Sequence, residues 1–344
     1  MGEKQAVTKL SAWFERIARP LPWRATRDPY AIWISEVMLQ QTQVAAVIPY
    51  YERFLARFPT VRDLALAPEQ DVLHLWSGLG YYSRARNLQK GARYLLEKYQ
   101  GVFPRTREEA LEVPGVGPYT AGAVLSIAYD LAVPIVDGNV QRVFSRYYAV
   151  KDSLETKAAS RFFWSQAEAW VQRSAHPRIL NQALMELGAT VCTKANPLCA
   201  QCPLREGCAA RAVGTPEKFP VRAERRRTVE LWWVAVLRQR GEKIWLVQNK
   251  DGAWWSGLWD FPRVETASEL AQKQTAGTLS PQRLAPYKHT VTHHRIHVLP
   301  IVLPWKKGSP PESTGRWVTP EEAKALPLSS LAKKLLQGYE THGA

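Results

Sequence analysis

The chain has 344 residues, 46% of them hydrophobic, enough apolar material for two ordinary cores and too much for an intrinsically disordered chain. Forty-six Lys and Arg against 31 Asp and Glu leave a formal charge of +15, a field that attracts polyanions and makes nucleic acid the leading partner. The longest uninterrupted apolar run, Leu231 to Leu237, is far short of the about 18 residues of a membrane span, so a spanning segment is excluded.

The opening MGEKQAVTKLSAWFER has no apolar core of the signal-peptide kind, and Ala6 stands where a myristoylation pattern requires Ser or Thr. A soluble cytoplasmic protein without membrane attachment is therefore expected, nucleoid-associated if bacterial. From Thr8 to about Ala210 apolar residues recur at helical spacing. Trp33, Val37, Val44 and Ile48 mark one helix, and Leu180, Leu184, Leu187 and Val191 mark another that leads into Cys192. Pro- or Gly-rich breaks at Arg19 to Trp23, Gly78 to Tyr82 and Pro114 to Pro118 cut this half into short helices.

Glu36 lies mid-helix in Trp33-Ile-Ser-Glu-Val-Met-Leu-Gln-Gln-Thr-Gln43, and residues three and four apart place it on a face with Trp33, Gln40 and Gln43. Desolvation beside a tryptophan raises a carboxyl pKa, which suits a general acid near neutrality; a surface ion pair is the plain alternative. Further on, Leu111-Glu-Val-Pro-Gly-Val-Gly-Pro-Tyr-Thr-Ala-Gly122 puts Gly115 and Gly117 in a hairpin between two helices. Glycines there let backbone amides at the next helix start approach a phosphate, the pattern of a helix–hairpin–helix clamp on DNA. Asp137, in Val136-Asp-Gly-Asn-Val140, reads either as an N-terminal helix cap or as a second functional carboxylate. One carboxylic acid that protonates a leaving group and one carboxylate that meets a developing sugar cation are the usual equipment for breaking a glycosidic bond.

All four cysteines, Cys192, Cys199, Cys202 and Cys208, fall within one 17-residue window. Disulfides would need an oxidising compartment, whereas four close thiolates form a soft donor set for iron or zinc. Structural zinc favours two close pairs, and only Cys199 and Cys202 make one, so a [4Fe-4S] cluster is the preferred reading and zinc the alternative.

Residues 213–228 turn polar and basic, with Arg222, Arg225, Arg226 and Arg227, and read as a linker. Beyond it the period changes to two. Leu231–Leu237 and Lys243–Val247 flank Arg240-Gly241 as a hairpin, His289–Leu303 reads as one long extended stretch, and Pro320–Gln337 returns to helical spacing. His289, His293 and His297 would share a face on such a strand, which invites a metal-site reading of low weight beside ordinary strand positions.

The helix–hairpin–helix, the following Asp and the cysteine loop resemble the endonuclease III superfamily of DNA repair glycosylases over roughly residues 8–212. Leu21-Pro-Trp-Arg24, Trp33-Ile-Ser-Glu-Val-Met-Leu-Gln-Gln-Thr-Gln-Val44, Gly78-Leu-Gly-Tyr-Tyr-Ser-Arg-Ala-Arg86 and Val136-Asp-Gly-Asn-Val140 extend the likeness to the MutY-type adenine glycosylases over nearly the whole chain. The resemblance implies an all-α helix–hairpin–helix glycosylase domain with a [4Fe-4S] loop at 1–212, the basic linker 213–228, and a C-terminal α+β Nudix-like domain at 229–344. It implies a base excision repair enzyme that acts as a monomer on double-stranded DNA, removing adenine opposite 8-oxoguanine or guanine.

Residue roles follow from the same resemblance. Glu36 would protonate adenine N7 and later activate water, and Asp137 would stabilise the sugar cation with Tyr119 and Asn139 in support. Trp23, Arg24 and Gln182 would line the adenine pocket, Gln41 and Tyr81 would wedge into the duplex, and Lys194 and Arg205 on the cysteine loop would face phosphates. Lyase-competent relatives carry a lysine where this chain has Tyr119, so no Schiff base and no efficient strand cleavage are expected. In the second half Trp259-Asp-Phe-Pro262 and Trp317-Val-Thr-Pro320 resemble a Nudix hydrolase. The magnesium-binding carboxylates of a working one are missing, and Glu265 and Glu269 do not replace them. A lesion reader is implied instead, with Thr292 and His293 reaching 8-oxoguanine and Val291 standing where the family has an aromatic. The competing readings are a thymine or oxidised-pyrimidine glycosylase and a catalytically silent DNA-damage-binding protein.

Overall fold

Helical spacing in the first two hundred residues resolves into α1 (Glu3–Ile17), a 3₁₀ turn at Pro22–Arg24, α2 (Pro29–Leu39), α3 (Val44–Arg57), α4 (Val61–Leu66), α5 (Glu69–Trp76), α6 (Ser83–Tyr99), α7 (Arg107–Glu112), α8 (Pro118–Tyr129), α9 (Gly138–Tyr147), α10 (Lys157–Gln172), α11 (Pro177–Thr190) and α12 (Ala209–Ala212). The computed structural model describes residues 1–223, 227–249, 254–279, 284–305 and 315–342. By compactness the chain divides into Met1–Ala67 with Arg86–Glu224, and Pro68–Ala85 with Arg225–Ala344. The second unit is thus discontinuous: it takes α5 and the following Gly-rich loop from the middle of the helical half.

Within the first unit α2 and α8 are buried on nearly every side and pack against each other, which is why both read as continuously apolar. The single helix expected across Trp33 to Ile48 is two. Gln40 ends α2, Gln41 adopts φ 59°, and Gln43 is the N-cap of α3. Polar side chains at helix starts take up orphan amides: Asp28 caps α2, Thr60 closes a capping box on α4, Thr106 caps α7 and Thr156 caps α10. A core of Leu10, Phe14, Val143, Phe144, Phe163, Trp170, Leu180, Leu184 and Leu187 joins α1, α9, α10 and α11, and Cys192, Cys202 and Cys208 pack on its margin. The expected linker is tied to this unit as far as it is described. Leu154 donates its amide to the Val221 carbonyl, and the Arg146 side chain donates to the carbonyls of Pro216 and Phe219. Arg225 and Arg226 lie outside the described residues.

The second unit holds β1 (Val229–Arg240), β2 (Lys243–Gln248), β3 (Trp259–Asp260), β4 (Arg263–Thr266), α13 (Glu269–Leu279), β5 (Tyr287–Val291), β6 (His294–Pro304), β7 (Gly315–Val318), α14 (Pro320–Lys324) and α15 (Ser330–His342). The strands run β3-β2-β1-β6-β5, with β4 also on β1 and β7 on β2; β1 and β6 are parallel, Trp233 opposite Val298, and the other pairs antiparallel. Alternation along β1 sends Trp233, Ala235 and Leu237 to one face, covered by Leu331 and Leu335 of α15, and Val234 and Val236 to the other, with Ala276 of α13. The long stretch expected at His289–Leu303 is a tight hairpin instead. Thr292 takes φ 54° and turns the chain, so His289 and His293 are separated from His297 by a strand reversal. No three His, Cys, Asp or Glu side chains among the described residues converge to hold a single metal ion. The expected C-terminal helix is split by Leu326–Ser329 into α14 and α15.

One close backbone approach in the first unit depends on glycine. A Cβ at Gly122 on α8 would lie 2.1 Å from the Pro134 carbonyl oxygen, in the extended segment that delivers Asp137. Gly122→Ala is expected to destabilise the protein by about 1–3 kcal/mol through overpacking, lowering the melting temperature by several degrees. A melting curve superimposable on the wild type would show that the segment yields freely.

Candidate active site

The first unit contains a cavity of about 770 Å³, counting its open mouth, within the usual size of a small-molecule site. Its wall combines residues from the 3₁₀ turn, α2, the first turns of α8 and α9, and α11: Trp23 and Arg24; Glu36; Tyr119; Asp137 and Asn139; Gln182 and Glu186. Seven of the residues singled out in the sequence therefore meet in one place.

Glu36 is only 4% exposed, and burial drives its carboxyl up to about 7. The nearby Asp137 charge pushes in the same direction, while the Tyr119 hydroxyl, donating to Oε2 at 2.5 Å, and Arg24 resist it. The shielding is not the one expected from helical spacing. Trp33 turns away toward Phe103 and Gly91, and Ile32, Ser35 and Leu39 share the cavity wall with Glu36. Tyr119 serves Glu36, with its oxygen also 3.6 Å from the Met185 sulfur, and makes no hydrogen bond to Asp137.

Asp137 caps a helix and lines the cavity at once. It is the N-cap of α9, its Oδ1 accepting the amides of Asn139 at 2.9 Å and Val140 at 2.7 Å, and it also faces the cavity. Its Oδ2 accepts the Asn139 side-chain amide at 2.8 Å. Burial raises its pKa, and those three hydrogen bonds with the Arg142 charge pull back toward the ionised form. Arg142 then extends the chain of contacts: its guanidinium donates to the Asn139 Oδ1 at 2.7 Å, the Gly188 carbonyl at 2.6 Å and the Cys192 carbonyl at 2.7 Å. A Cβ at Gly188 would come 2.6 Å from the Asn139 Cβ, so glycine is needed for α11 to pass this close.

Trp23 is buried edge-on against Tyr51, and Gln182 donates to the Arg178 carbonyl at 3.2 Å. Sequence reasoning overlooked Glu186, one turn beyond Gln182, which accepts from Arg19 at 2.6 and 2.7 Å and from Arg24 at 2.8 Å. Burial alone would raise this carboxyl, but the two guanidiniums hold it below its ordinary range, so a fixed anion shares the cavity with Glu36. Its place four residues after Gln182 on one helix face was the available signal.

Outside the cavity, Gly115 takes φ 82° in the turn between α7 and α8, which closes with the Val116 amide on the Val113 carbonyl. Gly117 is the N-cap of α8, with open space where a side chain would be. Gln41 is exposed at its own left-handed turn. Tyr81, Thr292 and His293 belong to the second unit. Tyr81 is 47% exposed with φ 48°, Thr292 is exposed, and the His293 ring lies tilted against His294 at 4.0 Å. Glu265 and Glu269 are engaged by Arg263 and Lys273.

The four cysteines are free thiols lining a second cavity of about 410 Å³ in the first unit. Burial, and then the neighbouring Cys192, Cys208 and Cys199, push the Cys202 thiol up to about 12, and burial raises Cys208 as well, so a bound cation is what would favour their thiolates. Arg146 donates to the Cys192 sulfur at 3.3 Å. Four thiols around one cavity, with a basic group on a sulfur, fit an iron–sulfur cluster; Lys194 and Arg205 stand exposed on the loop.

Residues 34–168 match the model of the HhH-GPD superfamily base excision DNA repair protein, and residues 233–338 that of the NUDIX domain. Adenine DNA glycosylase of Rattus norvegicus is 37% identical over 97% of this chain and 77% of its own. That of Homo sapiens is 37% identical over 96% and 73%, and that of Buchnera aphidicola from Acyrthosiphon pisum 33% over 85% and 84%. Among solved structures, a thermostable thymine-DNA glycosylase superposes with a TM-score of 0.55 at 30% identity, over 61% of this chain and 97% of that one. An endonuclease III–DNA complex gives 0.50 at 26%, over 62% and 98%. The chain belongs to the adenine DNA glycosylases of the HhH-GPD superfamily, enzymes of base excision repair that hydrolyse the N-glycosidic bond of adenine.

Proposed function

We propose that this enzyme is a monofunctional glycosylase that removes adenine paired with 8-oxoguanine, or with guanine, from double-stranded DNA, working as a monomer. The observation that carries the mechanism is the pair of carboxyls in one cavity, Glu36 poised near neutrality and Asp137 fixed by a helix start and Asn139. The adenine must leave the stack to enter this cavity, with Trp23, Arg24 and Gln182 as its wall. Protonated Glu36 gives its proton to N7, and the C1′–N9 electron pair leaves with the neutral base. The Asp137 carboxylate faces the resulting oxocarbenium, and water adds at C1′ after losing a proton to Glu36. Tyr119 holds Glu36 in place through its hydroxyl and, having no amine, forms no Schiff base, so the strand stays intact.

The working division is a helical glycosylase domain at 1–212, a linker at 213–228 and a lesion-reading Nudix-like domain at 229–344. The Gly115–Gly117 turn is assigned to the phosphate backbone, Gln41 and Tyr81 to the duplex, and Thr292 with His293 to the oxidised guanine. The cysteine set is assigned a [4Fe-4S] cluster, which when bound supplies the charge that ionises the thiols and shapes the loop bearing Lys194 and Arg205. Iron and inorganic sulfide in equal amounts in the purified protein support this; zinc in their place rules it out.

A duplex with adenine opposite 8-oxoguanine, followed by alkaline cleavage of abasic sites, tests the main reading. Glu36→Gln and Asp137→Asn should each lower the single-turnover rate by about 10²–10⁴-fold while the duplex is still bound. Product from T·G duplexes with none from adenine would overturn the substrate assignment, and full activity of Glu36→Gln would overturn the mechanism.

The acid role also sets a pH dependence. Glu36 donates only when protonated, so the rate should fall as pH rises through about 7. Tyr119→Phe removes a hydrogen bond to the carboxylate, which raises the Glu36 pKa further and moves the alkaline limb up by about one pH unit. An alkaline limb that moves down, or does not respond, would remove Glu36 as the acid.

A further inference from the structure

Tyr81 is displayed on a loop whose backbone is unusual at three of four positions. Gly78 and Gly80 take φ 117° and 71°, and Tyr81 itself, a residue with a Cβ, takes φ 48°. Such a conformation persists only where its surroundings over-determine it. Part of the determination is local: the Trp76 indole donates to the Gly80 carbonyl at 3.1 Å, Arg84 donates to the Leu79 and Gly80 carbonyls at 3.3 Å, and its guanidinium lies 5.5 Å from the Tyr81 ring centre.

The remainder comes from the far end of the chain, within the same compact unit. Ser77 Oγ donates to the Leu328 carbonyl at 3.3 Å, and the Tyr82 hydroxyl reaches the same oxygen at 3.5 Å while accepting the Gly78 amide at 3.2 Å. Lys333 Nζ donates to the Ser77 carbonyl at 3.1 Å. Both feet of the loop, Ser77 and Tyr82, are thus pinned to one acceptor. That acceptor is itself immobilised: Leu328 is buried and bridged to Trp259, whose amide donates to the Pro327 carbonyl and whose carbonyl accepts the Ser329 amide, each at 3.0 Å. Ser329 then caps α15 by accepting the Ala332 amide at 2.8 Å, which places Lys333 in the first turn.

We propose that Ser77, Tyr82 and Lys333, through the Leu328 carbonyl, are positioning residues for Tyr81, so that the Nudix-like half of the enzyme holds the duplex-contacting aromatic in its working pose as well as reading the lesion. An exposed aromatic ring held rigidly in a +15 protein suits stacking on a base, because a pre-ordered ring loses little freedom on binding. The proposal rests on the assignment of Tyr81 to the duplex, and the experiment separates the two.

Single-turnover excision from an adenine·8-oxoguanine duplex is measured against enzyme concentration for Tyr81→Ala, Ser77→Ala/Tyr82→Phe, the triple combination, Lys333→Met and Lys333→Arg. If the clasp acts through Tyr81, the double variant and Lys333→Met raise the half-saturating concentration about tenfold, toward that of Tyr81→Ala, with a smaller effect on the plateau rate. The triple variant is then no worse than Tyr81→Ala alone, and Lys333→Arg, which keeps the donor, restores wild-type behaviour. A 2-aminopurine placed beside the lesion reports the same loss of stacking in the clasp variants as in Tyr81→Ala. Additive losses in the triple variant, or wild-type half-saturation in both clasp variants, overturn the proposal while leaving Tyr81 in the duplex. A silent Tyr81→Ala overturns the underlying assignment and the proposal with it. Should the double variant lose its cooperative melt, Lys333→Met and Lys333→Arg carry the comparison by themselves, since they change only the contact to the Ser77 carbonyl.

Discussion

The Arg142 guanidinium is the junction on which the rest of the first unit depends. One side chain donates to Asn139 beside Asp137, to the Gly188 carbonyl on α11 and to the Cys192 carbonyl at the head of the cysteine loop. Each acceptor is a group that would be left unsatisfied in a water-poor setting, so a lost guanidinium strands several polar atoms at once. Burial lowers the Arg142 pKa, with the neighbouring Arg146 and Arg222 charges adding to that and Cys192 and Asp137 opposing it. Asp137, the packing of α9 against α11 and the head of the cysteine loop are therefore one connected polar structure.

Glu36 and Asp137 differ because their hydrogen bonds differ, not because one is exposed. Glu36 is buried and Asp137 half-buried, and burial raises both. Asp137 receives two backbone amides at a helix start and an amide from Asn139, donors that favour the anion; Glu36 receives one phenol. Glu186, as buried as Glu36, is pulled the other way by Arg19 and Arg24 and keeps its charge. Of three carboxyls in one cavity, burial thus raises two while paired guanidiniums hold the third down.

Much of this was legible in the chain. The change of period from 3.6 to 2, the glycines of the hairpin and the cysteine window are local signals, and each corresponds to an element of the structure. Glu36 and Asp137 were recognisable as a pair, although the reason given for Glu36 was mistaken: helical spacing alone offers Trp33 and Ile32 equally as neighbours, and packing against Phe103 and Gly91 decided between them. Tyr119 was placed with Asp137 and instead serves Glu36. The break at Gln40–Gln43 and the turn at Thr292 were missed because both use left-handed backbone at residues other than glycine, which leaves no mark in composition. Glu186 was missed because its importance lies in Arg19, 167 positions earlier, and no periodicity reports such a pairing.

The second unit is assembled from two distant stretches, residues 68–85 and 225–344. A ribosome makes the first of these long before the second, and β1 must itself await β6 for its parallel pairing. The Tyr81 loop therefore emerges without the corner at Leu328 that holds it, and the cavity of the first unit, drawn wholly from residues before 190, is fully synthesised before that corner is made. During translation the order of events is chemistry first and support for the Tyr81 loop last, so a chain that stalls or is cut before α15 carries the cavity residues of a glycosylase with that loop unsupported.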